Sequence, residues 1–293
     1  MTTNAHNRLL LILILWIALF LRTTGLATTP GLSGDESFNG ADALRVLEGH
    51  PEIYFTTNFG REPLFIHSIA LAMALLGRSS LALRLTSVAY AFVGLALAYA
   101  LARRHWGERV ALLATGLMAV SFWPVFTARI GLRAITLPTL ETATLLALSR
   151  GLGRPSRPRA WLIAAGACLG LTLYTYTSAR VFPAVPVAWV GLSALLGRPP
   201  VRARLCTVRG GLLLSLLVAL IVFVPLGAFF VRAPQAANQR IAELSWTLDA
   251  IRSGNLQPLV RNLGLLARMF VTEGDSDVYY NIPLRPVFAG PLG

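Results

Sequence analysis

The chain has 293 residues, of which 55% are hydrophobic and only 13% are charged, where soluble domains carry roughly 25% charged residues. Its net charge is +13, and all 26 basic residues are arginine. This balance excludes an ordinary soluble enzyme and a disordered chain, and two cysteines, Cys168 and Cys206, exclude a disulfide framework or a cysteine metal cluster.

Apolar runs fall at about 8–27, 81–102, 110–127, 134–149, 160–178, 181–197 and 210–231. Most approach the ~20 residues that a helix needs to cross a bilayer, so the sequence predicts an all-α polytopic membrane protein with about seven spans. A further run, Pro63 to Leu76, is short and reads as an interfacial helix. Arginine placement supports leaving that run out of the count. With the N-terminus inside, the connections 103–109, 150–159 and 198–209 are all cytoplasmic and all dense in Arg, as the positive-inside rule requires. Topology and anionic headgroups explain these loops, and nucleic acid is excluded as a partner.

This orientation sets two long outer loops, 28–80 and 232–286. In the first, Phe38, Ala41, Leu44 and Leu47 recur every three residues and predict a short amphipathic helix on the bilayer surface. Asp35, Asn39 and Asp42 fall on another face of it. Ser33-x-x-Glu36 fits a capping box, and the same acids also suit catalysis. Arg61-Glu62-Pro63 then reads as a helix start, with proline at the first helical position, or as an ionic pair facing a polar cavity. His67 follows on that helix.

Arg129 and Arg133 are four apart and are expected to share a helix face, where like charges repel and a bound phosphate would relieve them. Tyr174, Tyr176 and Arg180 end the fifth run, as an interfacial belt or as the lining of a substrate groove. In the last outer loop a surface helix is expected near 237–252. Asp275 and Asp277 suggest a cation loop or, more simply, a solvated turn. Val287-Phe288-Ala289-Gly290 looks like the start of an eighth span cut short within 287–293, after a domain covering 1–286. The sequence contains no Walker loop, dinucleotide-binding glycine pattern, CxxC or HExxH.

The order of these features resembles membrane glycosyltransferases of the GT-C fold, closest to the family 39-like group of protein O-mannosyltransferases and aminoarabinose transferases. The resemblance rests on Asp35-Glu36 in the first outer loop, Arg61-Glu62-Pro63-Leu64, Arg84-Leu85, Tyr99 to Arg104, Gly107 to Ala114 and the segment Arg129–Pro138. It implies a sugar donor on a polyprenyl phosphate, an acceptor hydroxyl on a lipid, glycan or protein at the outer face of the cell membrane, and inversion at the anomeric carbon. By position it implies Asp35 as the catalytic carboxylate, with Glu36 and Glu62 beside it. Arg61, Arg129 and Arg133 are then expected on the donor phosphate, and Asn39, Asp42, His67, Tyr174, Tyr176 and Arg180 along the groove. Relatives carry an acid before the fourth span where this chain has Arg133-Ala134. A divalent cation is therefore a possible cofactor only, and its ligands are unknown. A lipid or sugar flippase using the same cavity, or an inactive fragment of a transferase, are the competing readings.

Overall fold

The computed structural model describes residues 2–57, 59–153, 157–236 and 246–288. They form eleven α-helices and two short 3-10 turns, and among the described residues the β structure amounts to one antiparallel bridge, Phe55 with Arg61. The chain divides into two compact units, Met1–Arg232 and Ala233–Gly293.

The first unit opens with α1 (Thr2–Thr23), α2 (Gly34–Leu47) and α3 (Pro63–Leu76). Next comes α4 (Ser80–Val120), a 41-residue run broken at Gly107, whose φ of 85° and ψ of 175° lie outside helical space. Such a positive φ costs glycine little. The two halves of α4 run back past each other. Arg84 in the first half bonds the Leu26 carbonyl, and Arg22 bonds the carbonyls of Met118 and Ala119 at the end of the second. Both contacts are at the C-terminal end of α1, so the chain reverses at Gly107. The runs 81–102 and 110–127 are thus two antiparallel helices, as expected. The second half of α4 ends at Val120, and α5 (Phe122–Arg129) restarts after it.

Then follow α6 (Thr136–Leu152), α7 (Pro158–Thr172), α8 (Ala184–Leu196) and α9 (Pro199–Arg232). Among the described residues, four helical segments are long and apolar enough to cross a bilayer: Ala5–Thr23, Ser80–Val120, Thr177–Leu196 and Pro199–Arg232. The expected run 81–102 lies within Ser80–Val120 and the run 110–127 begins in it, while the runs 134–149 and 160–178 correspond to α6 and α7, which at 17 and 15 residues are shorter than these segments.

Helices α6, α7 and α9 pack around Ala147, Leu148, Leu162, Ala165 and Val208. Gly166 and Gly170, four apart on α7, let the α9 backbone come close: a Cβ on Gly166 would strike the Ser215 backbone, and one on Gly170 would lie 2.8 Å from the Ala219 carbonyl. Small residues at that spacing are a common way for membrane helices to gain close packing. Pro225 interrupts the hydrogen-bond ladder of α9. There the Tyr174 hydroxyl donates to the Val222 carbonyl (2.7 Å) and accepts from the Leu226 N–H (3.3 Å). It fills the step where those two groups would otherwise bond each other.

A second apolar cluster joins α2, α3 and α4 through Ala43, Phe55, Phe65, Ile66, Ile69 and Leu83. The 63–76 run is a helix of 14 residues with Pro63 in its first turn, as expected. Helix α2 has the apolar stripe and the separate polar face expected of it, and the polar face is the more deeply buried, with Leu44 and Leu47 packed only in part against the apolar cluster. Its buried residues are Glu36, Asn39, Gly40, Asp42 and Ala43, whereas Phe38 is 50% exposed and Ala41 is exposed. The polar face points into the protein because it meets arginines from α4 and from the segment before α3.

In the second unit α10 (Trp246–Arg252) and α11 (Gln257–Val271) are followed by an irregular segment. The expected surface helix near 237–252 is helical from Trp246 on, and 237–245 lies outside the described residues. Asp275 accepts the Asp277 N–H and Asp277 accepts the Tyr279 N–H, so both carboxylates cap a turn. Of the expected eighth span only Val287 and Phe288 are described. Their N–H groups bond the carbonyls of Met269 and Phe270, and 289–293 lies outside the described residues.

Candidate active site

One end of the first unit gathers its buried ionic groups, and two adjacent networks share the work. The first is built on Glu36. Ser33 and Glu36 close a full capping box, so the local rule is obeyed, but the carboxylate does more than cap. It accepts from the Ser33 N–H (2.9 Å), from Arg84 Nε (2.8 Å) and Nη2 (3.1 Å), and from the Gly131 N–H (3.0 Å). Glu36 and Arg84 are 0% and 1% exposed. Burial pushes the Glu36 carboxyl up, but the Arg84 guanidinium and the two backbone N–H groups outweigh it and hold the group below the usual carboxylate value. Arg84 also donates to the carbonyls of Leu26 and Gly31. Expected as a catalytic neighbour, Glu36 has its acceptor positions filled and works as a clasp between α2, α4 and the strand-like stretch after α5. Gly131 admits this contact, since a Cβ there would run into the Leu83 side chain.

The second network is built on Arg61. Its guanidinium donates to Asn39 Oδ1 (2.9 Å), to Thr57 Oγ1 (2.9 Å) and to the Asp42 carboxylate, and it lies over the Phe38 ring. Burial lowers its proton affinity, Asp42 and Asp35 raise it, and Arg133 lowers it. Asp42, Asp35 and Arg133 thus each act on the Arg61 charge. Asn39 in turn donates to the Gly131 carbonyl (3.0 Å), which ties this network to the Glu36 clasp. Asp35 is half-exposed on the first turn of α2, on the open side of the cluster.

Arg61 and Glu62 do not pair with each other. Glu62, 1% exposed, sits 3.4 Å from Arg133 Nε and accepts from the Thr177 hydroxyl (3.0 Å). Arg133 also lies over the Tyr176 ring, 5.1 Å from its centroid. Glu62, Arg133, Tyr176 and Thr177 thus form one unit, drawn from the start of α3, the 3-10 turn Arg133–Ile135 and the 3-10 turn Thr177–Arg180.

The expected pairing of Arg129 with Arg133 on one helix face is corrected. Helix α5 ends at Arg129 and Ile130–Leu132 is extended, so the two side chains diverge. Arg129 donates to the carbonyls of Leu21 and Thr29, and only Arg133 joins the Arg61 cluster. His67 is also displaced from the expected groove. Its Nε2 is 2.9 Å from the Glu52 carbonyl oxygen and its ring leans on Phe55. Tyr174 plugs the α9 break, and Arg180 lies over Phe230. The residues that sequence reasoning missed are Arg84 as partner of Glu36, and Thr57 and Thr177 as hydroxyl ligands. Among the described residues no three His, Cys, Asp or Glu converge, so the cation implied by the resemblance finds no ligand set here.

A family model for dolichyl-phosphate-mannose-protein mannosyltransferase matches residues 60–229, starting at the glycine before Arg61. No curated protein matches the chain. Among solved structures it is similar to ArnT from Cupriavidus metallidurans in the apo state, with a TM-score of 0.62 and 20% identity over 88% of this chain and 50% of that one. The same protein bound to undecaprenyl phosphate gives 0.63 and 19% over 90% and 52%. The archaeal oligosaccharyltransferase AglB from Archaeoglobus fulgidus, in complex with an inhibitory peptide and a dolichol-phosphate, gives 0.55 and 15% over 93% and 40%. The chain spans about half the length of the ArnT structures it matches. These likenesses establish a multi-pass, all-α membrane fold of the GT-C type.

Proposed function

Because the chain belongs to the dolichyl-phosphate-mannose-protein mannosyltransferase family, we propose that it is a membrane glycosyltransferase. It moves a sugar from a polyprenyl-phosphate donor to an acceptor hydroxyl, with inversion, on the extracytoplasmic side of the cell membrane. The observation that carries this reading is a half-exposed carboxylate, Asp35, on the helix whose Asn39 and Asp42 side chains hold the buried Arg61 guanidinium, with the buried Arg133 acting on that same guanidinium, at one end of apolar helices. The donor class comes from the structural relatives solved with undecaprenyl phosphate and dolichol-phosphate.

In this mechanism Asp35 takes the proton of the acceptor hydroxyl as its oxygen attacks the sugar C1, a task that requires a carboxylate within hydrogen-bond reach. The C1–O bond to the phosphate breaks on the opposite face, and the electron pair leaves with the polyprenyl phosphate. Arg133 and Arg61 stabilise the charge that develops on that oxygen, and their fixed positions spare the cost of reorganising at the moment of reaction. Glu62, Thr177 and the Tyr176 ring hold Arg133 in place, while Asp42, Asn39 and Thr57 hold Arg61. The Glu36–Arg84 clasp fixes the first turn of α2 that carries Asp35.

The test is transfer from radiolabelled polyprenyl-phosphate sugars in vesicles containing the chain. Transfer should occur with the native chain and fall at least a hundredfold in Asp35→Asn, with thermal stability unchanged. Full transfer by Asp35→Asn would remove Asp35 from the mechanism, and donor binding without any transfer would favour a flippase.

A further inference from the structure

The opposite end of α1 from the ionic cluster borders a groove that the proposed reaction does not use. It is an open cavity of about 570 Å³ between α1 and the second half of α4. On α1 it is lined by Asn7, Leu10 and Ile14, which recur at three and four residues, with His6 beside them. On α4 it is lined by Arg109, Leu113, Gly116 and Val120, again one helical stripe. One end is therefore polar, with His6, Asn7 and Arg109, and the remainder is apolar. Gly116 faces Ile14 across the groove: a Cβ there would meet Ile14 Cδ1 at an ordinary contact distance of 3.7 Å, and only a longer side chain would fill the space.

Arg109 is exposed, and its acidic neighbour is already engaged. The Glu108 carboxylate is held by Arg103 and by the Tyr99 hydroxyl, and Arg109 has no acidic partner among the described residues. A guanidinium in that position suits phosphate, which it can bond with two parallel N–H donors. Length identifies the rest of the ligand. Arg109 and Val120 are eleven residues apart, about 16 Å along a helix at 1.5 Å per residue. Half of the ~30 Å hydrocarbon core of a bilayer is nearly the same. The apolar stripe thus fits one acyl chain in one leaflet, whereas an isoprenoid carrier would far overrun it.

We propose that this groove binds one anionic glycerophospholipid, its phosphate on Arg109 with Asn7 and His6 alongside, and one acyl chain against Leu10, Ile14, Leu113 and Val120. The site lies in the leaflet at the N-terminal end of α1 and is separate from the donor site proposed above. It does not depend on the chain being a transferase.

Native mass spectrometry of the purified, delipidated chain with dioleoyl-phosphatidylglycerol or dioleoyl-phosphatidylcholine tests this. One phosphatidylglycerol should be retained about tenfold more tightly than phosphatidylcholine, whose choline cation offsets the charge of the same phosphate and is repelled by Arg109. Arg109→Gln should erase that preference, and Arg159→Gln, an exposed arginine outside the groove, should leave it intact. Gly116→Leu should weaken both lipids while the melting temperature stays near that of the native chain. Equal loss in Arg159→Gln would mean diffuse attraction to arginine and would overturn the site. So would displacement of phosphatidylglycerol by equimolar undecaprenyl phosphate, or indifference to Arg109→Gln.

Discussion

Replacing Glu36 with glutamine tests the clasp most directly. The change keeps the shape and removes the charge, so Arg84, 1% exposed, loses its carboxylate partner, although two carbonyls still accept from it. Three of the four donors that now converge on the carboxylate, Arg84 Nε and the N–H groups of Ser33 and Gly131, cannot all be satisfied by an amide, which offers one oxygen and brings an NH₂ of its own. Breaking one side of a buried ion pair costs about 3–5 kcal/mol. At about 2–4 °C per kcal/mol for a unit of this size, the melting temperature should fall by about 6–20 °C. Fluorescence-detected size exclusion after heating in detergent reads this directly. Pairing the change with Arg84→Gln should recover part of the loss, since a neutral pair leaves no buried charge. The folded carboxylate titrates below its ordinary value. Its contribution is therefore present above the ordinary carboxylate value and is lost as pH falls through the lower, folded one. A Glu36→Gln variant that melts within 1 °C of the native chain, or a double variant less stable than the sum of the singles, would refute the argument.

Tyr174→Phe removes the hydroxyl that bridges Val222 and Leu226 and leaves a buried N–H unpaired. Stability should fall by about 1–3 kcal/mol, with faster amide exchange concentrated around Leu226. Gly166→Ala drives a methyl into the α9 backbone and should cost about 1–3 kcal/mol, measured as a lower melting temperature. Arg133→Lys keeps the charge but loses the planar fork and the stacking on Tyr176. If Arg133 holds the donor phosphate, the variant should remain folded and lose at least tenfold in transfer rate, read in the vesicle assay.

Local rules were readable from the sequence wherever the partner lies within a few residues. Ser33 and Glu36 predicted a capping box, Pro63 predicted the start of α3, and the 14-residue run was correctly read as a helix of its own. The apolar periodicity also gave the two antiparallel halves of α4. What sequence could not show is which side of a two-faced helix is inside. In α2 the stripe beginning at Phe38 marked a surface helix with Asp35, Asn39 and Asp42 on another face, and no nearby residue offered that face a partner. The polar side is buried, because its partners Arg84 and Gly131 come from 48 and 95 residues further on. The Arg129–Arg133 reading failed for a related reason. A spacing of four places side chains together only if the helix continues, and α5 stops at Arg129. Arg61 and Glu62 were correctly singled out, but each is paired with a distant residue instead of with the other.

The inward polar face of α2 also dictates when the candidate site can form during synthesis. Glu36 needs Arg84 and the N–H of Gly131, and Asn39 needs the Gly131 carbonyl. At about 5–20 residues per second, a ribosome that has just made Glu36 needs about 5–19 s more to reach Gly131. Arg84 is made about halfway through that interval, but until its end Glu36 and Asn39 lack the Gly131 N–H and carbonyl that complete their contacts. The site is thus sealed by the segment following α5, and a chain stalled before Gly131 would carry every acidic residue of the first loop without the two backbone contacts that fasten Glu36 and Asn39 to that segment.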